Sequence, residues 1–357
     1  MKNEKFTKPG EVVLDPFMGS GTTLVEARAT NRHSIGTDIS SLAVFLAQVK
    51  TDVLCVKDIE SIRVWSTSVL AHLNLRNSCE PSGDETRSYY QRNINGRSTW
   101  PIRKTLELAL HQVGKLNTTR QRSFARCALL RTAQWALDCR KEIPRASEVR
   151  GQFLGNIEQM LVGADKFGDA VRRSEKRFGL GPVSVQCRQR SVIGIETDSL
   201  FTTCGPPKLI LTSPPYPGVH VLYHRWQVLG RKETPAPFWI AGSLDGHGAS
   251  FYTFGDRNQQ ELTGYFQRAR DAFQSLASVC GPKTVIVQML AFSEPSSQLG
   301  QYLEVMKRAG LAEIKFSELA NNSDGRSWRE VPHRKWYASQ KGALGASSEV
   351  VLFHRLS

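Results

Sequence analysis

Two stretches of this chain hold residue types whose spacing could do chemistry. The first is Asp15-Pro16-Phe17-Met18-Gly19-Ser20-Gly21-Thr22-Thr23, an acidic residue followed by a turn with two glycines. Gly19 and Gly21 let the backbone approach a ligand without a Cβ in the way, and a helix entered at Thr22 offers unpaired N–H groups and a positive dipole end. A phosphate or a carboxylate suits such a place. A triphosphate cradle needs Lys-Ser/Thr after the last glycine, where this chain has Thr22-Thr23, and Leu24 stands where a dinucleotide turn needs its third glycine. A ligand with a carboxylate and an adenosine, but no phosphate, fits better. The second stretch is Ser213-Pro214-Pro215-Tyr216. It joins a hydroxyl to two residues with fixed φ and then to an aromatic ring, so the turn is stiff and its groups are held in place.

Each stretch needs an element to position it. The apolar run Val12-Val13-Leu14 predicts a strand ahead of the glycine turn, and Leu209-Ile210-Leu211-Thr212 predicts another ahead of the prolines. Ser34-Ile35-Gly36-Thr37-Asp38 reads as a further strand ending in a carboxylate, placed to accept both hydroxyls of a ribose. Either Asp38 or Ser40 could instead cap the helix that begins near Leu42. Ser191 to Glu196 reads as a third strand, with Asp198 beyond it. Downstream, the pattern predicts helices over 259–279 and 299–309 and strands over 284–289, near 311–316 and over 349–354.

With both turns following their own strands, the chain resembles the S-adenosylmethionine-dependent amino-methyltransferases of DNA, the group that modifies N4 of cytosine or N6 of adenine. The resemblance covers about residues 8–50 and 190–357. It implies an α/β fold: a Rossmann-like class I methyltransferase sheet with a terminal antiparallel hairpin, here with a mostly helical insertion. It implies S-adenosylmethionine as cofactor, held by Asp15, Pro16, Phe17, Gly19, Ser20, Gly21, Thr22 and Thr23. Asp38 and Ile39 would lie at the ribose, and Asp198, favoured over Glu196, would take the adenine amino group. The catalytic set it implies is Ser213, Pro214, Pro215 and Tyr216, acting on a flipped-out base. Serine at 213 resembles the N4-cytosine members more than the N6-adenine ones. A cytosine-C5 enzyme needs a cysteine after a proline, and no Pro-Cys pair occurs. The expected activity is therefore N4-cytosine methylation of DNA, of the restriction-modification kind. The alternatives are N6-adenine methylation, RNA methylation, or a non-catalytic DNA- or cofactor-binding subunit.

Composition bounds the remainder. The 357 residues, 40% hydrophobic, are enough for one α/β core with an insertion. We divide them into 1–57, the cofactor half; 58–190, a basic helical insertion; and 191–357, the catalytic half. A formal net charge of +14 favours a polyanion, and roughly +10 of it falls in 58–190. Arg120, Arg122, Arg172, Arg173 and Arg177 are the DNA-contact candidates there. His224 and Arg225, after the proline turn, and Arg334 and Lys335, in a second basic and aromatic cluster, complete that set. The seven cysteines form no C-x-x-C pair and no zinc spacing, so no metal is expected. A charged opening without an apolar core suggests a cytoplasmic protein, and no long apolar run suggests a membrane. Only about ten residues precede the first strand, where the family carries a helical segment over the methionine end of its cofactor. The expectation is that a later helix, a homodimer partner or another subunit supplies it, or that the cofactor is held weakly.

Overall fold

The computed structural model describes residues 5–77, 89–217, 226–230, 232–244, 254, 262–292, 294–330 and 348–357. In chain order these hold β1 (Val12–Asp15), α1 (Thr22–Ala29), β2 (His33–Asp38), α2 (Ser41–Thr51), α3 (Val56–Val69), α4 (Trp100–Val113), α5 (Thr119–Leu137) and α6 (Ala146–Phe178). Then come β3 (Val185–Gln189), α7 (Ser199–Cys204), β4 (Leu209–Thr212), β5 (Trp226–Val228), β6 (Lys232–Thr234) and α8 (Ala236–Ala241). The last set is α9 (Thr263–Val279), β7 (Val285–Ala291), α10 (Pro295–Arg308), β8 (Leu311–Ile314), β9 (Ser327–Glu330) and β10 (Ser348–Leu356). The chain divides into two compact units: Met1–Ile39, Phe178–Val221 and Gly248–Ser357 form one, and Ser40–Arg177 with Leu222–His247 form the other.

The first unit is built on one sheet of order β3-β2-β1-β4-β7-β10-β8, with β9 pairing β10. The strands from β3 to β7 are mutually parallel, while β10 runs antiparallel to β7, β8 and β9. The β8–β10 pair forms the expected antiparallel end. The central strands are buried on both faces, which is why they read as continuous apolar runs rather than alternating ones. Leu14, Ile210, Ile286, Val350 and Leu352 pack on one face with Phe273, Leu276 and Tyr302 of the helices. Val13, Leu209, Val285, Val287, Val351 and Phe353 face the other side, with Ala27 of α1. Chain order reverses between β1 and β4, and the ligand crevice of an open α/β sheet lies at such a point, beyond the carboxyl ends of the strands.

One expected strand is corrected. Residues 191–198 are not extended: Gly194 has φ 80°, Ile195 N–H donates to Val192 O, and Ile195–Thr197 form a short 3-10 turn. The third strand is Val185–Gln189, whose polar sequence hides it, because among the described residues it is an edge strand paired along β2. The helix expected from 299 starts earlier, with Pro295 in its first turn, where a missing N–H is no loss.

The second unit is mostly helical, as the composition of 58–190 implies. Trp65 of α3 donates its indole N–H to Gln112 O at 3.0 Å, and Asn156 of α6 donates to Thr132 Oγ1 of α5 at 2.9 Å. Ile62, Leu106, Leu129, Phe153 and Ile157 are buried in this unit, and Phe153 packs edge-on against Trp65.

Candidate active site at the switch point

The register that pairs Val13 with Leu209 and Leu14 with Ile210 brings the ends of β1 and β4 side by side. The two turns read separately in the sequence therefore meet. Thr212 Oγ1 donates to Asp15 Oδ1 at 2.8 Å across 197 residues of chain. The same carboxyl receives the Phe17 N–H at 3.2 Å and the Thr23 side chain. Asp15 is only 4% exposed. Burial raises its pKa from 3.8 to about 6, against the lowering effect of these hydrogen bonds, and the nearby Asp38 charge adds to the rise.

The glycine turn is tied to β2 at several points. Met18 N–H donates to Thr37 O, Thr37 Oγ1 to Pro16 O at 2.9 Å, and Gly19 N–H to Asp38 Oδ2 at 3.0 Å. Gly21, at φ 79°, occupies the left-handed region just before α1, and no side chain caps that helix. The N–H groups of its first turn thus suit an anionic group such as a carboxylate. Gly36 of β2 lies directly under the turn: a Cβ there would meet Met18 Sδ and lie 2.9 Å from Leu24 Cδ2. The cap of α2 falls to Ser40, whose Oγ accepts from Ala43 N–H. Asp38 thus takes the glycine turn instead of the helix.

Asp198 lies at the start of α7. Its carboxyl accepts from Leu200 N–H at 3.0 Å and from Arg190 Nη1 at 2.9 Å. The Leu200 backbone bond first, and then Arg190, hold it below the usual carboxylate range. Arg190 also donates through Nη2 to Gly194 O and through its backbone N–H to Asp38 O, so it staples the loop after β3 to the end of β2. No motif announced this arginine.

In the proline turn, Ser213 is exposed and Pro214 is buried. Tyr265 of α9 donates to Pro215 O at 2.8 Å. Tyr216 donates to Glu349 Oε1 at 2.7 Å, and Arg329 Nε reaches Glu349 Oε2 at 2.7 Å. Thr212, Tyr265 and Glu349 were not among the predicted residues. Thr212 is legible only as the position ahead of Ser213, and the others come from distant elements with no local signal.

The arginine candidates separate by environment. Arg120 faces Asp52 at 3.8 Å and Asp58 at 3.6 Å. Arg122 donates to Leu116 O, Asn117 O and Thr119 Oγ1, closing the turn between α4 and α5. Arg172, Arg173 and Arg177 are exposed on the last turns of α6, Arg172 paired with Asp169 at 2.8 Å. His224, Arg225, Arg334 and Lys335 lie outside the described residues. Among the described residues no group of three or more His, Cys, Asp or Glu could hold a metal ion, and no helix is long and apolar enough to cross a membrane.

Fold and candidate site together are an open, mostly parallel α/β sheet with a glycine turn on β1 and a proline turn on β4 meeting at its switch point. Residues 4–48 match the model of the N6/N4 methyltransferase family, described as DNA methylase. Over 53 residues it is 42% identical to the type II methyltransferase M.MjaII of Methanocaldococcus jannaschii, an alignment that covers 15% of this chain and 10% of that relative. Two structures of the rRNA methyltransferase aviRa from Streptomyces viridochromogenes align with 97% of the chain at 11% identity. Their TM-scores are 0.35 and 0.32, over 78% and 77% of the aviRa chains. The family match falls on β1, α1, β2 and most of α2, which include the whole glycine turn. The buried Asp15 carboxyl, the left-handed Gly21 and the uncapped α1 fit an amino acid joined to an adenosine, as in S-adenosylmethionine.

Proposed function

We propose that the chain is a DNA amino-methyltransferase that acts on N4 of cytosine in a flipped-out base, as part of a restriction-modification or related system in the cytoplasm. The observation that carries this reading is the Thr212–Asp15 hydrogen bond, which joins the glycine turn and the Ser-Pro-Pro-Tyr turn into one site. The bound S-adenosylmethionine would supply an electrophilic methyl group. Everything else falls to the protein.

Asp15, the turn from Pro16 to Gly21, Thr22 and Thr23 would hold the methionine end of the cofactor. Asp38 and Ile39 would meet its ribose, and Asp198 its adenine. An exocyclic amino nitrogen is a poor nucleophile because its lone pair is spread into the ring. The Ser213 hydroxyl and the Pro214 carbonyl would accept its two hydrogens, which localises the pair on nitrogen and aims it at the methyl group. Acceptors fixed before the reaction need no reorganisation during it. Here Pro214 is buried and Tyr265 holds the next carbonyl. Tyr216 would stack on the base, which cannot be reached inside a duplex. The exposed arginines of α6 and the overall charge of +14 support a polyanionic substrate.

The test is incubation with mixed-sequence duplex DNA and S-adenosylmethionine, digestion to nucleosides and mass spectrometry. N4-methylcytosine is the expected product. N6-methyladenine would keep the mechanism and overturn the base assignment, and no methylated nucleoside would overturn the enzyme reading. Ser213→Ala should lower kcat by roughly a hundred- to a thousandfold, the order seen when one positioned polar group is lost.

A further inference from the structure

The Tyr216 ring is clamped from outside its own motif. Its hydroxyl donates to Glu349 Oε1 at 2.7 Å. Glu349 is 5% exposed at the start of β10, a costly place for a carboxylate unless its oxygens are satisfied. Sheet pairing supplies the remedy. Glu349 is the direct cross-strand partner of Arg329 in β9, whose Nε and Nη2 both reach Oε2, at 2.7 and 2.5 Å. One oxygen is thus held by the arginine and the other receives the tyrosine. On the backbone side, Tyr265 fixes the carbonyl of Pro215, the peptide that leads into Tyr216.

Resting on the reading of Tyr216 as the ring that stacks on the target base, we propose that Glu349, locked by Arg329, is the positioning residue that sets the plane of that ring. A tyrosine ring attached at Cα alone turns about χ1 and χ2. A charge-assisted bond at its far end removes that freedom before the base arrives. The Glu349 carboxylate touches neither cofactor nor base in this scheme; it acts through the Tyr216 hydroxyl alone. The prolines hold the turn, and β9–β10 hold the ring.

A double-mutant cycle tests this in the full chain, with the duplex DNA that the wild type methylates. Glu349→Gln keeps the shape but puts an amide where Arg329 or Tyr216 expects an oxygen. In the wild-type background it should raise the KM for DNA about three- to tenfold, with kcat within about twofold. In a Tyr216→Phe background, which keeps the ring and lacks the hydroxyl, it should change KM by less than about twofold. A merely structural glutamate would give equal factors in both backgrounds, and that result overturns the inference. A second readout needs no DNA. In the chain labelled with 13Cζ-tyrosine, the resonance removed by Tyr216→Phe should shift on Glu349→Gln and partly return with Glu349→Asp. An unmoved resonance also overturns the proposal. A wild type that transfers no methyl group overturns the functional reading and this inference with it, whereas an active wild type with equal factors overturns the inference alone.

Discussion

Replacing Asp15 with asparagine should make the cofactor-free protein more stable at neutral pH, although it removes a residue at the centre of the site. The Asp15 carboxyl is buried and titrates at about 6, against 3.8 for the free group. A rise of that size means the anion folds less favourably than the acid by about 3 kcal/mol. The sign follows from proton binding. Between pH 4 and 6 the folded state holds a proton that the unfolded chain has released, so stability from this group is complete below about 3.8, falls as pH rises through 6, and is flat above it. Asparagine carries no charge and can keep an acceptor oxygen toward Thr212 and Phe17 N–H. The stability difference between Asp15→Asn and wild type should therefore grow in favour of the variant by about 2–3 kcal/mol between pH 4 and 7. Urea unfolding at each pH, followed by far-UV circular dichroism, reads this difference, and the other carboxyl groups cancel because both proteins share them. A difference that stays constant from pH 4 to 7 would refute the reasoning, since only the titration of Asp15 separates the two curves.

If the Asp15 anion faces the positive end of the cofactor, S-adenosylmethionine should bind about tenfold more weakly for each pH step below 6, and Asp15→Asn should abolish the dependence when affinities are compared by calorimetry. Gly36→Ala should cost about 1–3 kcal/mol, because its Cβ would press on Met18 and Leu24, and an unchanged melting temperature would mean that the turn yields more easily than its packing suggests. Arg173→Gln and Arg177→Gln should each flatten the dependence of log DNA affinity on log salt by about one. In contrast, Arg120→Gln and Arg122→Gln should lower thermal stability, since their guanidinium groups are engaged within the helical unit, and a loss of salt dependence from these two would place the DNA elsewhere.

Much of the site was legible in the sequence because its parts are local. A strand that ends in Asp15, glycines at 19 and 21, and prolines at 214 and 215 fix their own backbone within a few residues, so type and spacing suffice to read them. The antiparallel end of the sheet was expected from the family resemblance, which gave an arrangement to two apolar runs near the C-terminus. The strand Val185–Gln189 was not, because its side chains are mostly half-exposed or exposed and its identity rests on pairing with β2. Strand pairing is a long-range bond, and polar sequence at an edge leaves no periodic trace of it.

The sequence by itself determined that this chain carries a glycine turn and a rigid Ser-Pro-Pro-Tyr turn, each on its own strand. Only the tertiary structure decided that the two turns meet, through Thr212 and Asp15, and that Ser40 rather than Asp38 caps α2. It alone decided that Tyr216 is held by Glu349, which Arg329 holds in turn. The physical reason is reach. Backbone preferences and hydrogen bonds within a turn are written in neighbouring residues, whereas a buried carboxyl finds its partners only when the strands pack and water is excluded from between them.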